Sequence, residues 1–167
     1  MPEPSLLTTD PGAVVDDPGI DLVVELIGGV EPARDLVSRA LGAGKPVVTG
    51  NKELLAAHGP ELYAMAAKHG VDLLFEAAVA GGIPLIRPLR ESLVGEEITR
   101  VMGIVNGTTN YILTQMTQHG APYAEALAEA QRLGYAEADP TADVEGYDAG
   151  AKAVSYTHLT LPTICSV

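Results

Sequence analysis

Apolar positions follow two textures along the first half of the chain. Residues 22–27, 46–49 and 72–75 are short, nearly continuous apolar runs bounded by glycine or polar turns. Each is too short for a helix and too continuous for a half-solvated strand, so each reads as a buried strand. Between them the apolar residues recur three and four apart. Residues 32–41 read as a helix opened by Pro32 and ended by Gly42 and Gly44. Asn51 reads as the N-cap of a helix through Leu54 and Leu55, and residues 61–69 read as a further helix stopped by Gly70. Residues 1–20, rich in Pro, Gly, Asp and Thr, read as loop with one short helix at 11–15. The order strand, helix, strand, helix, strand predicts a parallel sheet with right-handed crossovers, covered on both faces: half of a doubly wound α/β fold.

From Glu76 the texture changes. Residues 77–84 are small and glycine-rich, and Pro84 opens a predicted helix to about residue 93. Residues 98–105 alternate as a strand does. Asn106 caps a helix through Tyr111, Ile112 and Met116, and residues 124–133 form an alanine-rich helix ended by Gly134. An acidic loop over 135–147 leads into a helix carrying Asp148 and Lys152.

With 167 residues, 47% of them hydrophobic, the chain is long enough to bury a core without disulfides. Its net charge of −12 argues against nucleic acid or an anionic membrane as partner. The single Cys165 excludes an internal disulfide and a cysteine-cluster zinc site. No apolar run approaches the roughly 18 residues of a membrane span. The first residues carry no positive charge, so no secretory signal is expected, and a reducing cytoplasmic setting is the default.

Several motifs invite chemistry. The Gly42-Ala43-Gly44-Lys45 stretch evokes a phosphate loop, but Arg39 and Pro46 stand where that motif needs glycine and a hydroxyl, so it reads as a helix end. Gly28-Gly29 lies at the carboxyl end of a strand, where open α/β sheets bind ligands; tight-turn glycines are the competing reading. Lys52, on the first turn of a helix, opposes the helix dipole, which points either to a use or to a solvated surface lysine. Gly107, Thr108 and Thr109 at a helix start either hold a carboxylate or only cap. The acidic residues Glu137, Asp139, Asp143, Glu145 and Asp148 miss the EF-hand spacing. Asp148 and Lys152 are four apart and share a helix face, either as a surface pair or as a held, tunable proton donor. The four histidines, at 58, 69, 119 and 158, have no ligand spacing and read as surface residues outside any metal site.

Taken in order, four stretches resemble the homoserine dehydrogenase family: VVELIGGVEPARDLVSRALGAGKPVVTGNKELLA, FEAAVAGGIPLIRPLRESL, ITRVMGIVNGTTNYIL and EAQRLGYAEADPTADVEGYDAGAKA. They cover most of residues 5–154. The resemblance implies a Rossmann-type NAD(P)-binding portion over 1–75 and a substrate and dimerisation domain of α+β type over 76–154, each incomplete. It implies interconversion of L-homoserine and L-aspartate 4-semialdehyde, in threonine, methionine and isoleucine synthesis, by a homodimer. By carry-over Lys152 is the proton donor and Asp148 orients it. Glu137 binds the substrate ammonium with Asp143 nearby, and Gly107 and Thr108 lie on the substrate side. Lys52 stands between nicotinamide and substrate, while Ile27, Gly28, Gly29, Thr49 and Asn51 line the nicotinamide side. Glu76, Val79, Gly81 and Ile83 hold a sodium ion, largely through carbonyls, as suits a hard cation.

Two departures qualify that picture. The family's G-x-G-x-x-G fingerprint is absent, so the chain is expected to be an internal piece with very weak cofactor binding and no measurable activity. Residues 155–167 resemble nothing in the family and are expected to be a foreign tail. Preference between NAD and NADP is not readable, because the residues near the ribose would lie upstream. Rival readings are another NAD(P)-linked semialdehyde reductase and a non-catalytic binding or dimer-forming module.

Overall fold

A computed structural model describes residue 3 and residues 6–158. Cys165 and the apolar stretch at 159–164 lie outside the described residues. The chain divides into two compact units, Met1–Gly95 and Glu96–Val167. That division falls later than the boundary expected at residue 75. Residues 76–79 pack against residues 47–49, and the Ala78 N–H donates to the Phe75 carbonyl, so this segment stays with the first unit; within it the Glu76 carboxylate accepts the main-chain N–H groups of Ile86 (2.9 Å) and Arg87 (3.3 Å).

The first unit is α/β. Strands β1 (Val23–Glu25), β2 (Val47–Thr49) and β3 (Leu73–Leu74) form a parallel sheet in that order, with Val23 opposite Val47 and Val47 opposite Leu73. Helices α1 (Pro11–Asp16), α2 (Ala33–Gly42), α3 (Lys52–His69) and the short α4 (Glu76–Val79) complete it, with a π-helical turn over Pro88–Ser92. The helix expected from Pro84 begins at Ile86. Val23, Val47, Leu73 and Phe75 on the sheet pack with Leu36, Val37 and Leu41 of α2 and Leu54, Leu55 and Leu62 of α3, all buried. Among the described residues the sheet is covered on this one face, not on both as the strand pattern predicts. On the other face Val24, Leu26 and Leu74 are exposed, because α2 and α3 pack together on the same side.

Helix α3 corrects the expectation of two helices. It runs unbroken through Pro60, which removes one main-chain donor. Leu54 and Leu55 before the proline and Leu62 and Ala66 after it are all buried, and their common burial holds the two halves in one helix. The Gly44-Lys45 turn is a helix end, as expected. Lys45 stands before β2 and its Nζ donates to the Asp17 carbonyl, so it serves the amino end of the sheet and not a phosphate.

The second unit is helical among its described residues: α5 (Gly107–His119), α6 (Tyr123–Arg132), α7 (Thr141–Val144) and α8 (Tyr147–His158). Its core is small, with Ile112, Ala126, Ala130 and Ala136 packed against Tyr111, Ala121, Leu127 and Val144. Residues 98–105 do not form the expected strand. A strand needs a ladder partner, and no other strand exists among the described residues of this unit, so Val101, Met102 and Ile104 are exposed. Residues 155–158, expected as foreign tail, form the last turn of α8, with Ser155 fully buried and its hydroxyl donating to the Ala151 carbonyl. Among the described residues no helix is long and apolar enough to cross a membrane.

Tyr63 of α3 packs its ring on Phe75, with centroids 5.5 Å apart, and its hydroxyl is buried without a hydrogen-bond partner among the described residues. Burial pushes its pKa up from 10.0 to about 12. The neutral form is therefore the one that folding favours. The stabilisation is complete below the unfolded pKa and is lost as pH rises from about 10 toward 12. Tyr63→Phe should raise stability in urea denaturation by about 1 kcal/mol, the low end of the cost of an unsatisfied buried hydroxyl. It should also flatten the loss of stability above pH 10. A variant less stable than the parent at neutral pH would contradict both the missing partner and the sign.

Candidate functional site

The carboxyl ends of β1 and β2 carry a buried polar network. Glu25 closes β1 and is 3% exposed. Its carboxylate accepts Ile27 N–H at 2.7 Å, the Thr49 hydroxyl at 2.6 Å and Asn51 Nδ2 at 3.5 Å. Thr49 Oγ1 in turn accepts Asn51 N–H at 3.0 Å. Asn51 Nδ2 donates to the Gly29 carbonyl at 2.6 Å, and its Oδ1 caps α3 by accepting Leu54 N–H at 3.0 Å. Gly28 and Gly29 both have positive φ (81° and 70°), which only glycine adopts without strain. Apart from the adjoining residues of the chain, nothing among the described residues lies within 4 Å of where a Cβ would stand at either residue.

This arrangement sorts the residues expected on the nicotinamide side. Ile27, Gly28 and Gly29 are exposed at the strand end, and Lys52 is half-buried on the first turn of α3. Thr49 is fully buried and Asn51 nearly so. The side chains of those two are committed to the network, which fixes the position of the Gly28-Gly29 turn. Glu25 is the member that sequence reasoning passed over. Its signal was a lone carboxylate inside an otherwise apolar strand, which a buried site admits only when donors surround it.

In the second unit the network centres on Asn106, which is 8% exposed. Asn106 Oδ1 caps α5 by accepting Thr109 N–H and the Thr109 hydroxyl, each at 2.8 Å. Its Nδ2 donates to Asp143 Oδ1 at 2.7 Å and to Asp148 Oδ2 at 2.8 Å. The same Asp148 Oδ2 accepts Lys152 Nζ at 2.8 Å, and Nζ also donates to the Val105 carbonyl at 2.6 Å. The spacing of four on α8 makes the Asp148–Lys152 pair, and burial of Asp148 to 9% distinguishes it from an ordinary surface pair. Val105 as the second anchor of Lys152 had no sequence signal, because any residue supplies a carbonyl.

The other acidic residues divide by environment. Asp139 accepts the Thr141 hydroxyl and N–H at the start of α7, and the two hydrogen bonds hold its carboxyl below the usual carboxylate range. Glu137 and Glu145 are exposed. The Glu137 carboxylate makes no hydrogen bond among the described residues, while its carbonyl accepts Gln131 Nε2 at 3.1 Å. The structure thus brings Asp143, Asp148 and Lys152 together and leaves Glu137 outside their network. The Thr108 hydroxyl donates to the Tyr135 carbonyl at 2.6 Å and is committed there, and Gly107 is exposed at the start of α5. His69 and His119 are exposed as expected, but His58 and His158 are half-buried, His58 with Nδ1 3.4 Å from Glu61. Among the described residues no group of three or more His, Cys, Asp or Glu is placed to hold a metal ion.

Two family models match the chain in tandem. One described as the NAD-binding domain of homoserine dehydrogenase covers residues 2–76, and one described as homoserine dehydrogenase covers residues 84–163. A homoserine dehydrogenase of Corynebacterium glutamicum is 58% identical over 160 residues, which are 96% of this chain and 36% of that protein. The crystal structure of a homoserine dehydrogenase from Thiobacillus denitrificans matches with a TM-score of 0.84 at 59% identity, covering 87% of this chain and 34% of that one. A hyperthermophilic archaeal homoserine dehydrogenase in complex with NADPH also matches with a TM-score of 0.84, at 35% identity, covering 92% and 47%. The chain spans about a third of the length of the curated relatives it matches.

Every group facing Glu25 offers a hydrogen; an amide would keep one oxygen for Ile27 N–H but lose the charge and set its NH₂ against the Thr49 hydroxyl, which then loses its acceptor. Glu25→Gln is expected to cost about 1.5–3 kcal/mol in urea denaturation, the worth of a hydrogen bond to a charged group. Unchanged stability would mean that the carboxylate is dispensable to the strand-end network.

Proposed function

The chain belongs to the homoserine dehydrogenase family, and on that premise we propose that its residues serve NAD(P)-dependent interconversion of L-homoserine and L-aspartate 4-semialdehyde, a step toward threonine, methionine and isoleucine. The observation that carries this reading is the Lys152 ammonium held at two points. Nζ has three donors. Asp148 Oδ2 and the Val105 carbonyl take two of them, and the third is available to a substrate oxygen. As the aldehyde carbonyl accepts hydride, its oxygen becomes an alkoxide, and Lys152 delivers the proton that makes it a hydroxyl. In the opposite direction Lys152 takes that proton from homoserine while Asp148 holds it in place. Glu137, exposed and uncommitted to the Asn106 network, takes the substrate ammonium. The Asn106 cap uses Thr109 N–H. The first-turn N–H groups of Gly107 and Thr108 therefore remain for the substrate carboxylate.

In the first unit the open space at Gly28 and Gly29 fits the close approach of a nicotinamide dinucleotide to the backbone, with Ile27 and Lys52 beside it and Thr49 and Asn51 behind. The bound cofactor supplies or removes the hydride. The same reading gives sodium to Glu76, Val79, Gly81 and Ile83. These are oxygen donors only, as a hard cation prefers, and the Glu76 carboxylate keeps lone pairs beyond the two N–H groups it accepts. The working enzyme is a homodimer in this reading.

A chimera in which residues 7–153 replace the matching stretch of the Corynebacterium glutamicum relative tests these roles in an intact frame. It should oxidise L-homoserine with NAD or NADP. Lys152→Ala should lower kcat by roughly 10²–10⁴, the worth of a general acid. Glu137→Ala should chiefly raise the KM for homoserine. Near-parental kinetics in both variants would overturn the mechanism. Sodium chloride should raise the melting temperature of the chimera above that in choline chloride at equal ionic strength, and equal melting temperatures would remove sodium from the reading.

A further inference from the structure

We propose that Asn106 is a positioning residue for Lys152, an inference that rests on the dehydrogenase reading above. Three neighbours fix the orientation of its amide. Oδ1 faces two donors of Thr109, and Nδ2 faces two carboxylate oxygens, Asp143 Oδ1 and Asp148 Oδ2. The reverse orientation would place an oxygen against both carboxylates and an NH₂ against both donors, so a single arrangement satisfies every partner.

The side chain therefore does two separable things. Through Oδ1 it caps α5, a role that serine and aspartate fill about as well. Through Nδ2 it ties α7 and α8 to the start of α5 and stands between two carboxylates that would otherwise repel. Only a side chain with two hydrogens on one atom at that reach does the second. The consequence reaches Lys152 through one atom. Asp148 Oδ2 accepts from Asn106 on one side and from Lys152 on the other. Val105, the other anchor of Nζ, immediately precedes Asn106 in the chain. Both anchors of the ammonium thus depend on where residue 106 sits, although Asn106 itself does not touch Lys152.

The test is made in the chimera of residues 7–153, with two variants that keep the cap. Asn106→Ser retains an N-cap but cannot bridge the carboxylates. Asn106→Asp keeps the shape and the cap but turns the bridging donor into a third acceptor. Asn106→Ser should hold a melting temperature close to the parent's, whereas Asn106→Asp, which sets a third carboxylate against Asp143 and Asp148, should lower it. Both should lower kcat by roughly 10–100-fold, as removal of the hydrogen-bond partners that orient metal-ligating side chains does. The KM for NAD(P) should stay unchanged, because the effect is confined to the proton-transfer group. In Asn106→Ser a merely structural role would instead lower the melting temperature and leave the kcat of the folded enzyme intact, and that result would overturn the proposal. So would full kcat in either variant. A parent chimera that folds but shows no homoserine-dependent turnover would overturn the dehydrogenase reading, and the proposal with it. An active parent with insensitive Asn106 variants would overturn the proposal alone.

Discussion

Glu25 can be buried only because everything that faces it is a donor. A carboxylate is an acceptor alone, and its transfer out of water is affordable when N–H and O–H groups replace the lost hydration. Ile27, Thr49 and Asn51 supply those groups, and in doing so they fix the strand end, the glycine turn after it and the start of α3 with respect to one another. The sheet itself is slight, with strands of three, three and two residues. Ladder bonds across so few residues do not define where a loop stands, so the polar network does that job.

The second unit solves an analogous problem with the same residue type. Asn51 and Asn106 both sit at a helix N-cap, both spend Oδ1 on a first-turn N–H group, and both turn Nδ2 toward oxygens of other elements. An N-cap asparagine is ordinarily a local device. Here each one is also a cross-tie, and the group it ties is one that the proposed dehydrogenase reading uses: the glycine turn in one unit, the Asp148–Lys152 pair in the other. Rigid placement of a functional group by a partner whose own conformation is fixed is what reactive geometry requires.

The sequence shows the placement of the strands, the caps at Asn51 and Asn106 and the Asp148–Lys152 pair, because each is a local pattern of period or spacing. It does not show the continuity of α3 through Pro60, since burial of Leu54, Leu55, Leu62 and Ala66 outweighs a local breaker only once the sheet is in place. Residues 98–105 alternate as a strand does, but alternation records a preference for a ladder and does not supply one. The amide of Asn106 was legible as a cap and illegible as a bridge, because Asp143 and Asp148 lie far along the chain from it and meet it only in three dimensions. Glu25 was hidden for a related reason: a single acid in an apolar run has no partner until Thr49 and Asn51 arrive from the next strand.

The uncovered sheet face has a colloidal consequence. Val24, Leu26 and Leu74 present apolar surface to water, and so do Met102 and Ile104. What opposes contact between such surfaces on separate molecules is the long-range repulsion of a chain with net charge −12. That repulsion is screened beyond about 8 Å at physiological ionic strength, whereas apolar attraction is not. With those faces open, what opposes self-association is charge rather than coverage. Added salt shifts the balance toward self-association, a salting-out that sets in at concentrations where a protein with closed faces would still be stable in solution.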